Sequence, residues 1–218
     1  MRRLLGGDIG KTFKVQHLVK LTEEVLYRYR LFDRRIRIFQ LRTGLRCPRR
    51  CGVCCQSSQV EASILECLPL AREIFRCRKA EDVAWTIEQK EREGDPRCVL
   101  FDPDEEGGAM GRCLYYARRP LVCRLFGYAA RRDKTGRLEF RPCRVMRADA
   151  SHTLSFSHLQ GTHDADPLVY QDCFLQIGSI DPGMGMRLFP INTALKKALE
   201  HVYWQCPEGR FPRPRKAA

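Results

Sequence analysis

Across its 218 residues the chain has no apolar run approaching the roughly 18 residues of a membrane-spanning helix. Met1 to Lys20 also lacks an unbroken apolar stretch of signal-peptide length, because Gly6, Gly7, Asp8, Gly10 and Lys11 interrupt it. These absences argue against a helical membrane protein and against export, so the cytoplasm is the expected compartment and its thiols should stay reduced. No repeat of solenoid period is present. No serine or cysteine stands with a histidine and an acid in a triad arrangement, and Asp8-Ile-Gly-Lys11-Thr12 lacks the glycine spacing of a phosphate loop. Histidine is scarce, with five in all. His152, His158 and His163 fall near Asp164 and Asp166, but neither helix nor loop spacing aligns them, so no metal site is expected there. Catalytic residues are not identifiable, and whether the chain is an enzyme stays open.

Cysteine, by contrast, is abundant: 12 in 218 residues. Four stand together in Cys47-Pro-Arg-Arg-Cys51-Gly-Val-Cys54-Cys55, and Cys98, Cys113, Cys123 and Cys143 follow. In a reducing compartment such clustering points to a metal or to catalysis rather than to disulfides. Thiolates are soft ligands that suit zinc, copper(I) or iron–sulfur. The spacing lets one loop present Cys47, Cys51 and Cys54 to a single centre, as at the corner of a cubane. Successive side chains diverge in most backbone conformations, so Cys54 and Cys55 are expected to serve adjacent centres, or one of them to stand behind a ligand. The candidate ligands are Cys47, Cys51, Cys54, Cys55, Cys98, Cys113, Cys123 and Cys143. This surplus beyond four places an iron–sulfur cluster ahead of zinc as the expected cofactor. Cys67, Cys77, Cys173 and Cys206 lie on apolar stretches and are expected to be core thiols. Arg119 and Arg124, flanking Cys123, are candidates for hydrogen bonds to metal-bound sulfur, or for plain surface or capping roles.

The formal net charge is +13, which eight bound thiolates and two zinc ions would lower to about +9. Residues 1–50 hold 14 Lys and Arg against 4 Asp and Glu. A basic face there suits nucleic acid, an acidic protein partner or a membrane surface, although a solvated arginine-rich helix is a better account of it than any one of these. Leu18, Val25, Phe32 and Phe39 recur every seven residues, with Tyr29 and Ile36 between them, and predict an amphipathic helix over 18–41 ended by Thr43-Gly44. Two short helices are expected in 61–78, with Pro69 opening the second. A helix is expected over 81–93, then a hairpin with arms at 97–101 and 111–116. Arg118-Arg-Pro120 should open a helix carrying Cys123, and Asp133 to Gly136 a turn. Residues 149–185 read as loop, followed by a helix capped by Asn192 or Thr193 and running to Tyr203.

The ordered set Cys47-x3-Cys51-x2-Cys54-Cys55, Cys98-x2-Phe101, Gly111-Arg-Cys113-x-Tyr115 and Arg119-Pro120-x2-Cys123-Arg124-x-Phe126 resembles the YkgJ-type cysteine-cluster family, a zinc- or iron-chelating domain. The resemblance covers residues 44–145. It implies metal binding and, through the family's similarity to flagellin lysine N-methylases, a protein-modifying activity. Cys143 stands where a further cysteine of that family follows the last motif. The first loop also matches the cluster loop of radical SAM enzymes. Here, however, a helix precedes the loop, Val53 occupies the usual aromatic position, and no βαβ rhythm follows.

The expected architecture is α+β, a mainly helical single domain with a small β-hairpin around a polycysteine metal site. Residues 1–43 form a basic amphipathic helix packed on the core, 44–145 the cysteine-cluster domain, 146–206 a loop and helix completing it, and 207–218 a disordered basic tail. The expected role is metal or cluster binding, as a redox or methylase-like factor. The alternative is a zinc-stabilised interaction module that binds nucleic acid or an acidic protein through its first helix.

Overall fold

A computed structural model describes residues 6–104, 110–140, 142–149 and 167–206, with side chains of the first helix from Lys14 onward. Helix α1 spans Gly6–Thr43 and starts a full twelve residues before the apolar period that predicted it. Its rows Leu18, Val25, Phe32, Phe39 and Leu21, Tyr29, Ile36 are buried, while Arg30, Arg34, Arg35 and Arg37 face solvent. Gly44, at φ 70°, donates its N–H to the Gln40 carbonyl at 3.0 Å and ends the helix.

The core is α1 against α2 (Ile64–Arg76) and α8 (Ile191–Gln205), the two helices that pack together most extensively. Strands β1 (Glu61–Ser63) and β7 (Leu188–Pro190) pair antiparallel and lead directly into α2 and α8. The expected pair of short helices in 61–78 is not formed. Residues 61–63 are strand, and α2 runs unbroken through Pro69. The cause lies at the N-terminus. Ser63 caps α2 in a capping box with Glu66, which fixes the start at Ile64 and leaves Pro69 inside the helix. An interior proline costs about 3 kcal/mol. Full burial of Leu65, Leu68, Leu70 and Ile74 on the same helix offsets it at about 1.5–3 kcal/mol each.

Helix α3 (Ala80–Glu93) ends at Gly94 and packs on α8. Strands β2 (Phe101–Pro103) and β3 (Gly111–Cys113) form the expected hairpin, with Phe101 opposite Cys113. Its first arm begins later than expected, because residues 97–100 are held as a loop. Pro120 caps α4 (Leu121–Leu125), the helix carrying Cys123. Around the Asp133–Gly136 turn, β4 (Ala129–Arg132) pairs antiparallel with β5 (Leu138–Phe140) and parallel with β6 (Leu168–Val169). Helix α5 spans Arg144–Asp149. The loop expected over 149–185 is overturned for its last part, where α6 (Tyr170–Gly178) and α7 (Pro182–Gly185) form. Cys173 and Ile177, four apart, bury one face of α6 that scattered apolar pairs did not reveal. His152, His158, His163 and the tail 207–218 lie outside the described residues. The molecule is thus a mainly helical single domain with small sheets, and among the described residues no helix is long and apolar enough to cross a membrane.

Candidate metal centre

The eight candidate cysteines come from five separate segments that meet at one end of the domain. Thr43 accepts the Leu45 N–H at 3.2 Å and turns the chain out of α1 toward Cys47. The Cys47 N–H donates to the Tyr128 hydroxyl at 2.7 Å. Arg50 adopts φ 58°, its carbonyl accepts the Gly111 N–H at 2.8 Å, and Cys51 bridges Met110, so the first loop is stitched to the hairpin. Cys54 and Cys55 lie in a 3-10 turn, Val53–Gln56, and the Cys55 carbonyl accepts the Cys98 N–H at 2.8 Å.

Phe101 holds this arrangement from below. A Cβ on Gly52 would stand 2.0 Å from its ring, and one on Gly111 2.5 Å away. Only glycine at both positions lets the cysteine loop and the hairpin close on the ring. Asn192 is a residue that sequence reasoning missed. The sequence offers it or Thr193 as a helix cap, but Pro190 caps α8, and the Asn192 amide accepts the Val99 N–H and donates to the Arg97 carbonyl, both at 2.9 Å. It brackets Cys98 and fixes it to α8. Nothing in the local sequence signals a partner more than ninety residues away.

The thiols divide into two neighbourhoods. Cys47 lies beside Cys51 and within electrostatic reach of Cys143 and Cys54. Cys55 pairs with Cys54 and lies within reach of Cys98 and Cys123, while Cys113 is close to Cys98 and Cys123. Cys54 sits at the junction. A cavity of about 20 Å³, lined by Cys54, Cys55, Cys98 and Cys123 with Val60, Val122, Phe126 and Ile191, opens on the second group. Its size suits an ion or a single water and not an organic substrate.

Charge follows from this crowding. Cys54 is lowered to about 7, first by the Cys55 hydrogen bond and also by the Arg119 guanidinium. Burial pushes Cys98 up to about 11 and raises Cys113 and Cys123, with neighbouring thiols adding to each. Cys47 is exposed as a residue, but its half-buried sulfur is raised to about 12 by desolvation and by Cys51 and Cys143. The Cys54 hydrogen bond and burial hold Cys55 protonated. These sulfurs cannot all ionise together without a compensating cation, which is the electrostatic demand a bound metal meets. Among the described residues, no three Cys, His, Asp or Glu side chains form a ready-made cation site. The donor chemistry fits a thiophilic metal, and ligation would have to draw the sulfurs closer as they lose protons.

The two arginines beside Cys123 separate cleanly. Arg124 is 3% exposed and forks away from the thiols, donating to the Arg119 and Ala117 carbonyls at 2.9 and 2.7 Å, pairing with Asp33 and lying 4.3 Å over the Tyr29 ring. It is a clamp between α4 and α1. Arg119 is the one beside sulfur: it lowers Cys54 and Cys113, stacks 3.8 Å over Tyr116, and its buried Nε has no hydrogen-bond partner. Of the presumed core thiols, Cys67, Cys173 and Cys206 are buried. Cys77 is instead exposed where it caps α2, beyond the apolar face.

Fold and site together define a small helical domain with a polythiol end. Residues 46–144 match the model of the CxxCxxCC family, described as "Putative zinc- or iron-chelating domain". No curated protein and no solved structure matches the chain. The family match and the clustered cysteines support binding of zinc or iron.

Proposed function

We propose that this protein holds metal in two adjoining thiolate centres, one built on Cys47, Cys51 and Cys143 and the other on Cys55, Cys98, Cys113 and Cys123, with Cys54 between them. The observation that carries this reading is the division of sulfurs just described: Cys47 has Cys51 and Cys143 as neighbours, and Cys55 has Cys98 and Cys123. An iron–sulfur cluster remains ahead of zinc, because eight thiols exceed the four that one structural zinc needs. A bound cluster would supply electron-transfer chemistry, and zinc a structural tie. The protein's own contribution is to hold the sulfurs on anchored loops, keep the second group next to an apolar cavity, and place Arg119 where it offsets thiolate charge. The role is that of a redox or protein-modifying factor, for which the methylase resemblance supplies the enzymatic version.

Metal and acid-labile sulfide content on protein purified without oxygen tests the reading. Iron with sulfide supports the cluster, and Cys47→Ser and Cys98→Ser should each remove part of the metal. A single zinc per chain without iron rules out two centres. Absence of S-adenosylmethionine binding after anaerobic reconstitution rules out the methylase version.

A second reading rests on the exposed arginines of α1, Arg30, Arg34, Arg35 and Arg37. On that reading zinc is structural, and α1 binds nucleic acid or an acidic protein. Replacing Arg34, Arg35 and Arg37 should then weaken nucleic-acid binding and flatten its salt dependence.

A further inference from the structure

Large apolar side chains stand exposed on the segments that carry the thiols. Val53, Met110, Leu114, Tyr116 and Phe126 are 36 to 60% exposed, and each is tied to a cysteine. Val53 and Leu114 adjoin Cys54 and Cys113 in the chain, and Met110 bridges Cys51. Tyr116 carries Arg119, and Phe126 lines the cavity with Cys54, Cys55 and Cys123. A grouped apolar surface at a chemically reactive end is the mark of an interaction site.

Its rim is positive. Arg46, Arg49, Arg50 and Arg112 are exposed, and Arg118 and Arg119 are half-exposed. Asp104 and Asp102 neutralise Arg50 and Arg112, the latter at 2.9 Å. Arg46 and Arg49 have no ion pair among the described residues. An apolar centre with a charged rim is the anatomy of a protein interface. The aliphatic Val53, Met110 and Leu114, and the two carboxylates on the same face, suit a protein better than a phosphate backbone.

We propose that this face docks a protein partner carrying an acidic rim, seated on Val53, Leu114, Tyr116 and Phe126 and held by Arg46, Arg49 and Arg119. The inference deepens the metal-binding reading and rests on it, since a partner seated here lies directly over the thiols.

The test places a benzophenone side chain at Leu114, or at Trp204 on α8 as control, in the full-length protein within its native cells. One acidic protein should be captured from Leu114 and not from Trp204. That protein, once identified and purified, should bind the wild type at low salt. Its Kd should rise about tenfold or more with Arg46→Glu plus Arg49→Glu, and again with Leu114→Asp. Metal content should be unchanged in these variants, none of which removes a sulfur. Capture of nucleic acid, of a second copy of this chain, of the same protein from both positions, or of nothing overturns the proposal, as does binding insensitive to charge reversal. If the complex forms but the wild type holds no metal, the metal reading fails while the docking surface stands. If metal is held and no complex forms, the docking surface alone is lost.

Discussion

The two ends of this domain are held together by different means. Around α2 and α8 the chain buries Leu65, Leu68, Leu70, Ile74, Leu195, Leu199 and Val202, an apolar layer that needs no ligand to be stable. Around the thiols the strands are three residues long, two of the helical pieces are 3-10 turns, and the order comes from single hydrogen bonds and one half-buried ring. Large apolar side chains there are turned outward. Such an end should be the first to open, and a metal that draws five segments together would contribute most where apolar burial contributes least.

Removing the metal therefore gives the largest expected effect. A thiolate-bound structural metal represents on the order of 10 kcal/mol of binding free energy. Chelation under reducing conditions should abolish hydrogen-exchange protection across 47–56, 98–104 and 110–125, while α2 and α8 keep theirs. If α2 and α8 lose protection at the same chelator concentration, the domain is one cooperative unit and the distinction between its ends is broken.

The converse substitution is Leu68→Ala, at a fully buried position of α2. It should cost about 3–5 kcal/mol in urea unfolding, from lost transfer energy and the cavity left behind. Metal stoichiometry of the folded protein should not change. Metal loss in the folded variant would show that the thiol end depends on this core beyond the Asn192 and Ile191 contacts that join them.

The same contrast governs what could be read from sequence. Heptad spacing revealed the α1 face because burial on a helix repeats with the helix, and the ordered cysteines marked the loops that approach one another. What stayed hidden was set by tertiary contacts. Pro69 remains in one helix because the Ser63–Glu66 box fixes the start, and Asn192 serves Cys98 instead of capping α8. Arg124, beside a cysteine in sequence, turns away from it in space. The two sulfur neighbourhoods follow from the turn at Cys54 and Cys55, whose thiols meet where divergence is the sequence expectation, and from loop anchors such as Tyr128, which no local pattern signals.

Arg119 and Arg124 sharpen the comparison at the scale of single side chains. Arg124→Ala should cost about 2–3 kcal/mol of stability, less than the removal of one partner of a fully buried pair, because Asp33 is 45% exposed. Its effect on metal retention should be small. Arg119→Ala should do the reverse, weakening metal retention during dialysis while leaving the urea midpoint nearly unchanged, since its Nε makes no hydrogen bond in the fold. Equal effects of the two on stability would mean that Arg119 is a second clamp and not a partner of the thiols.

The smallest effect belongs to Glu66, the carboxyl buried beneath α4 in the helical core. Its Oε1 accepts the Ser63 N–H at 3.1 Å, Oε2 has no hydrogen-bond partner, and burial raises its pKa from 4.5 to about 6 despite the opposing Ser63 hydrogen bonds. The folded state therefore holds this proton more tightly than the unfolded chain does. The resulting stabilisation is fully present below pH 4.5 and is lost as pH rises through about 6. Between pH 4.5 and 7 the loss should amount to about 2 kcal/mol. Glu66→Gln keeps an acceptor for Ser63 but cannot titrate, so its stability relative to wild type should improve by about that amount over the same interval. Titrations common to both proteins cancel in that difference, including those of the thiols. A difference that stays flat from pH 4.5 to 7 would mean that Glu66 is ionised in the folded core throughout, with water or a shifted backbone N–H reaching Oε2.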